Sequence, residues 1–455
     1  MNIKAARRFV LPIGIGLAVA WLAVAGLSTA RAQSIASQAP LAVAAIGRPQ
    51  DPVVVTGASF PAFSGAPLGD LVLFAYRSGT WAPIPFQIDE VNITGTYVIS
   101  DGGLLDANDE LVFMAGDAGD SVSTAIWPPD TQSRLYSRYA ITVTDPLSAG
   151  GQAWVYFYRS TTLIPSSARY ITWTESVQTA TAISYTAAFS PAAFVGLSDL
   201  FINGDSVDIL DRQKTRATAL SGVVSINEET IVDLLGPVTI TLPAVGPVRA
   251  ATNAGGLNAA LYGSRIEFDA SLSGTIEVPV FGSVPLDFIR TSFDWISPTI
   301  SGITTYYDSN AAGGVTIDGV MDAIPTTPPN DWFQVNGGAS GPGGIVAAIP
   351  NVDTSGGILS NYYRDDSTCD PGDTGDHRCY GDAGLRIDGP GPVISFTLVA
   401  YVLPPGTTAN VGETYFERAD NPLTAAVAEQ CFAPSSSGCL RIYLPLVVKN
   451  LAGAP

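Results

Sequence analysis

The sequence predicts an all-β protein, a β-sandwich domain followed by a larger antiparallel β domain, and three observations carry that reading. Turn formers are abundant, with 46 Gly and 33 Pro in 455 residues, which suits short strands joined by turns. Several segments alternate apolar and polar residues with a period of two. Apolar residues make up 46% of the chain and charged ones 14%, enough to fill large cores and too apolar for a disordered chain.

Residues 1–32 read as a signal peptide. Lys4, Arg7 and Arg8 form a basic start, Phe9 to Leu27 is apolar, and Ala30-Arg31-Ala32 offers small residues at a cleavage point near Ala32. The expectation is a secreted or cell-surface protein with no transmembrane segment in the mature chain. Cleavage removes four cations, taking the net charge from −19 to −23, and leaves Lys214 and Lys449 as the only lysines. Such an acidic body repels phosphate backbones, which excludes nucleic acid as a partner, and attracts divalent cations.

After a short segment over 33–50, the sandwich is expected over 51–165. There RYAITVTDP alternates from Tyr139 to Thr144 and stops at Asp145-Pro146, and WVYFYRS, Trp154 to Ser160, follows as a partner strand. The large domain is expected over 166–420. Its clearest strands are VTITL at 238–242, TIEVPV at 275–280 and SFTLVAYVL at 395–403, the last apolar on both faces and so a central strand. Residues 421–455 are expected to hold a short helix, a disulfide loop and a tail. Asn421 suits a helix N-cap and Pro422 the first helical position of NPLTAAVAEQ.

The four cysteines fall as two close pairs. Export permits disulfides, and the spacing favours Cys369 with Cys379 and Cys431 with Cys439 over the crossed pairings, although sequence does not fix connectivity. Zinc is a poor rival, because the single His of the chain, His377, lies between two of these cysteines.

Three stretches carry chemistry. In DGGLLDANDELVFMAGDAGD (101–120), Asp106, Asn108 and Glu110 have the odd spacing of a hard-cation loop, against which stands a plain polar hairpin turn. In YYRDDSTCDPGDTGDHRCYGDAG (362–384), six aspartates crowd a disulfide, and Asp365, Asp366, Asp373 and Asp376 are the expected ligands of a calcium ion. A solvated acidic loop is the competing account. The third runs from Arg290 to Trp332, where Trp295, Tyr306, Tyr307, Asp308 and Trp332 supply the flat faces and hydrogen-bonding edges that a pyranose recognises. The same residues serve equally as β-sheet core and turns.

With one His, a Ser-His-Asp triad has little to build on, and no GxSxG elbow or phosphate loop is present. Carboxylate or lyase chemistry remains open, with Arg290, Asp294, Asp318 and Tyr363 as candidate groups. The leading expectation is a polysaccharide- or glycan-binding surface protein stabilised by calcium. The alternatives are a carbohydrate-active lyase or hydrolase, and a structural envelope component without a ligand.

The order IPFQIDE (84–90), DGGLLDANDELVFMA (101–115) and GPVRA (246–250) resembles a group of uncharacterised secreted bacterial proteins. In those, a small sandwich precedes a large β-supersandwich similar to galactose mutarotases and some polysaccharide lyases. The resemblance implies a supersandwich-like second domain and a carbohydrate-associated fold. It does not imply mutarotase activity, which rests on a His working with a Glu, whereas His377 sits in the disulfide loop. The terminal YLPLVVKN (443–450) is similar to short tails that recur on exported bacterial proteins and serve in surface retention.

Overall fold

The computed structural model describes residues 46–190, 196–230, 239–253, 257–278, 281–325, 331–369 and 374–432. The segment expected to be a signal peptide (1–32), Asp373, Cys439 and the 443–450 tail lie outside the described residues. The chain is all-β, and every strand pairing among the described residues is antiparallel. None of the described helices is long and apolar enough to cross a membrane.

The first part is a sandwich of two sheets. A three-stranded sheet holds Pro52–Thr56, Glu110–Met114 and Phe86–Asp89, with Glu110–Met114 in the centre. It faces a five-stranded sheet ordered Thr424–Gln430, Arg138–Thr144, Gln152–Arg159, Leu71–Arg77, Thr80–Pro83. RYAITVT and its partner pair as expected, with Tyr139 opposite Phe157 and Ile141 opposite Val155. Because side chains alternate across a strand, these residues meet Val53, Leu73 and Phe113 in one core. The rings of Phe60 and Phe157 lie 4.9 Å apart there.

The expected helix at 421–430 is a strand. Thr424–Gln430 runs against Arg138–Thr144 with Val427 opposite Ile141, and Leu423, Ala425 and Val427 enter the sandwich core. The period of two outweighs the capping signal, since a helix would turn half of these apolar groups to water. The helix of this region, Gly412–Asp420, lies just before it.

In the second part, a nine-stranded sheet is ordered Ala244–Val245, Ala250–Thr252, Leu257–Leu261, Arg265–Ser273, Val393–Leu403, Gly344–Asp353, Trp332–Asn336, Thr305–Asp308, Val315–Thr316. Val393–Leu403 is central, as its sequence predicts. Val402 joins the main core on one face, while Val399 and Tyr401 on the other meet Ala419, Tyr415 and Phe416 of the helix. A second sheet is ordered Val224–Asn227, Leu210–Ala219, Gly282–Trp295, Cys379–Asp388, Ile358–Asp366, and Thr275–Val278 also pairs with Gly282–Trp295. A four-stranded sheet over Ile171–Thr174, Thr179–Ala182, Tyr185–Ser190 and Gly196–Ile202 contributes to the same core. VTITL is not a strand over its described residues, 239–242. There the Ile240 amide donates to Oε1 of Gln178, so a side chain takes the place of a neighbouring strand.

The three sequence blocks of the resemblance meet in one buried network. Arg249 is 1% exposed and donates to Asp89 at 2.7 Å and to Glu110 at 2.5 Å. Oε1 of Gln87 accepts from the Val248 and Arg249 amides, and Tyr97 donates to Glu110. Gly246 is required at its position, because a Cβ would run into the Gln87 side chain. A buried guanidinium is tolerable only with its carboxylates in place, so IPFQIDE, DANDE and GPVRA are coupled by packing between the two parts of the chain.

Candidate functional site

The expected aromatic platform is interior. Trp295 and Trp332 are each 2% exposed, Tyr306 is 0% and Asp308 1%. Trp295 and Tyr306 belong to the main core. The Trp332 indole donates to Glu413 at 3.0 Å and packs on the helix where Gly412 leaves room. Asp308 accepts from Tyr306 at 2.9 Å and from the Asn310 and Ala311 amides, which closes a turn. Tyr307 alone is partly exposed, its hydroxyl donating to the Thr408 carbonyl. A ring sealed in a core presents no face to a sugar, so these residues do not form the platform. The physical reason is the alternation itself, which turns Trp295 and Tyr306 into the main core and Trp332 to the other face of its sheet, under the Gly412–Asp420 helix.

The expected calcium ligands also disperse. Asp365 is buried and accepts three backbone amides, from Asp318, Gly319 and Gly381. Asp366 binds Thr368 and Arg364, and Asp376 lies on the surface with its carboxylate on the Arg378 amide. In the first domain, Asn108 donates to the Val91 and Asn92 carbonyls and Glu110 turns to Arg249, so that loop does not converge on an ion either. Cys369 and Cys379 form the expected disulfide. Cys439, the expected partner of Cys431, lies outside the described residues.

The catalytic quartet is split between faces of the second sheet. Tyr363 points into the core, its ring 4.3 Å from Tyr306, and Asp318 is an exposed loop residue. Arg290 and Asp294 share the opposite, polar face.

That polar face is what the fold assembles. Strand register sets Lys214 opposite Ser292 and Arg216 opposite Arg290. It also sets Ser292 opposite Gly384, Gly384 opposite Tyr362 and Asp382 opposite Arg364. Intervening residues such as Phe293, Ala383 and Leu385 face the core. With only Gly384 on the strand between them, the Arg290 guanidinium lies over the Tyr362 ring at 4.0 Å. Lys214 and Asp294 are both 0% exposed and form a 2.6 Å ion pair.

Several polar atoms here are buried without a hydrogen-bond partner among the described residues: Arg290 Nε, Ser292 Oγ and both carboxylate oxygens of Asp382. Arg290 approaches Asp382 only to 4.0 Å. Each such orphan costs about 1–3 kcal/mol, and native structures gather them where something else completes the site. Burial, and then the charge of Asp382, push the Asp294 carboxyl well above its usual range, with Lys214 opposing. Burial, reinforced by Asp382, pushes the Tyr362 hydroxyl up to about 12, which keeps it a neutral donor.

The sequence named Arg290 and Asp294 as candidates but not Lys214, Asp211 or Ser292. One signal was available for Lys214, one of only three lysines in the 455 residues. No protein-family model matches the chain, and no curated protein matches it.

Proposed function

We propose that this is an exported carbohydrate-binding protein that takes its glycan on the polar face of the second sheet, at Arg290 and Tyr362. The observation that carries the reading is the Arg290 guanidinium stacked over the half-buried Tyr362 ring. Arg290 and Tyr362 are the half-buried members of the group and offer a vicinal diol a guanidinium edge and a ring face, while Ser292 and Asp382, both 0% exposed, lie beneath, Asp382 4.0 Å from the guanidinium. Export follows from the reading of residues 1–32. The resemblance to mutarotase-like supersandwiches supports a carbohydrate ligand.

A glycan-array screen of the mature chain, coupled to a reducing-end assay on every hit, tests this. Binding without turnover is expected, weakened at least about tenfold by Arg290→Ala and unchanged by Tyr307→Ala. New reducing ends make the protein an enzyme instead. Silence with every polysaccharide favours the second reading, a structural envelope component, which the burial of Trp295, Tyr306 and Trp332 already favours.

A further inference from the structure

At one end of the same face, three acids from separate segments come together. Asp211 lies at the start of the Leu210–Ala219 strand, Asp294 near the end of Gly282–Trp295, and Asp376 within the Cys369–Cys379 disulfide loop. One carboxylate oxygen from each lies within 4.8 Å of the other two. The Asp376 amide donates to both Asp211 oxygens at 3.2 Å, which draws the loop toward the strand.

A cluster of acids on a surface has no need of an ion. Here a second observation points to one. Asp382 is fully buried, its oxygens have no hydrogen-bond partner among the described residues, and it lies beside Asp294 on the adjacent strand. The register of Ser292 with Gly384 and Phe293 with Ala383, carried on one residue, sets Asp382 across from Asp294 on the same side of the sheet. Ionised, the four acids carry four negative charges against two neighbouring cations, Lys214 on Asp294 and Arg290 at 4.0 Å from Asp382. Asp294 takes Lys214 on one oxygen and the Tyr380 amide on the other, which leaves two of its lone pairs open. Asp376 is exposed, so water can complete a coordination shell from that side.

We infer that Asp211, Asp294 and Asp376 hold one hard divalent cation, with Asp382 supplying further negative charge beside it. All the donors are carboxylate oxygens, the ligand set of calcium or magnesium and not of thiophilic metals. Three ligands from three chain segments give a calcium ion the partial cage it needs, and solvent supplies the rest. The site replaces the calcium set expected from sequence and shares only Asp376 with it. It shares only Asp382 with the glycan reading, and it is tested without sugar, so either can fail alone.

Calorimetric titration of the full mature chain with calcium chloride, followed by thermal unfolding, decides the matter. One saturable site is expected, with the melting temperature rising as calcium is added. Asp376→Asn changes an exposed residue and leaves folding intact; it weakens binding by at least about tenfold. Asp366→Asn, a neighbouring acid outside the cluster, binds as the wild type does. No saturable uptake into the millimolar range overturns the inference. So does wild-type affinity in both Asp376→Asn and Asp211→Asn.

Discussion

Asp117 illustrates how one buried carboxyl ties stability to pH. Its side chain accepts from the Tyr170 hydroxyl at 2.6 Å and has Arg77 at 3.9 Å, yet burial dominates and raises its pKa from 3.8 to about 6. The folded carboxyl therefore holds its proton more tightly than the unfolded one does. Its contribution favours folding most below pH 3.8, declines as the pH rises to about 6, and is level beyond. Asp117→Asn removes that decline. Urea unfolding at pH 4 and pH 7 should show the gap between the two narrowed by roughly 2–3 kcal/mol relative to wild type. Asp269, also raised to about 6 by burial, titrates in the same window and remains in the variant. An unchanged gap would show that Asp117 stays ionised in the folded chain.

Among elements, the strand Thr424–Gln430 shows how tertiary pairing overrides a local signal. Asn421 and Pro422 are fit to start a helix, but the segment that follows carries Leu423, Ala425 and Val427 on one side at a period of two, and an open edge of the sandwich accepts it. The strand joins the sheet about 280 residues after its partner was made, a long-range closure that favours late formation in folding. Leu423 is 2% exposed, so Leu423→Ala should cost about 2–5 kcal/mol in denaturant unfolding. A loss near zero would mean that this segment is not part of the sandwich core. The polar strand face obeys the same rule in reverse. Lys214, Ser292, Asp294 and Asp382 are legible as strand residues from their alternation, whereas their meeting follows from a register that strands far apart in sequence adopt only once the core is packed.

For the molecule as a whole, Arg249 joins what the sequence presents as two regions. It sits among Asp89, Glu110, Tyr97 and Tyr262, and replacing it leaves two carboxylates buried without their cation. Arg249→Met should lower stability by about 3–5 kcal/mol and split a single unfolding transition into two, as the sandwich and the larger part lose their bond. A calorimetric scan reads both effects. One unshifted transition would assign the coupling to other contacts, such as Arg265 with Asp51. This network also explains why the blocks IPFQIDE, DANDE and GPVRA stand out together, for Gln87, Asp89, Glu110 and Arg249 must match each other to be buried at all.

The sequence by itself determined the all-β class, the paired strands at 138–144 and 152–159 and the central strand ending at Leu403, because each rests on local alternation or turn residues, and its short spacing favoured the Cys369–Cys379 pairing that the fold makes. Only the tertiary structure decided which side each aromatic faced and which acids met. Trp295 and Trp332 read equally well as platform or core until the packed sheets enclose the one and the Gly412–Asp420 helix covers the other. Asp211, Asp294 and Asp376, some 80 residues apart in sequence, become neighbours through strand pairing, which no local pattern encodes.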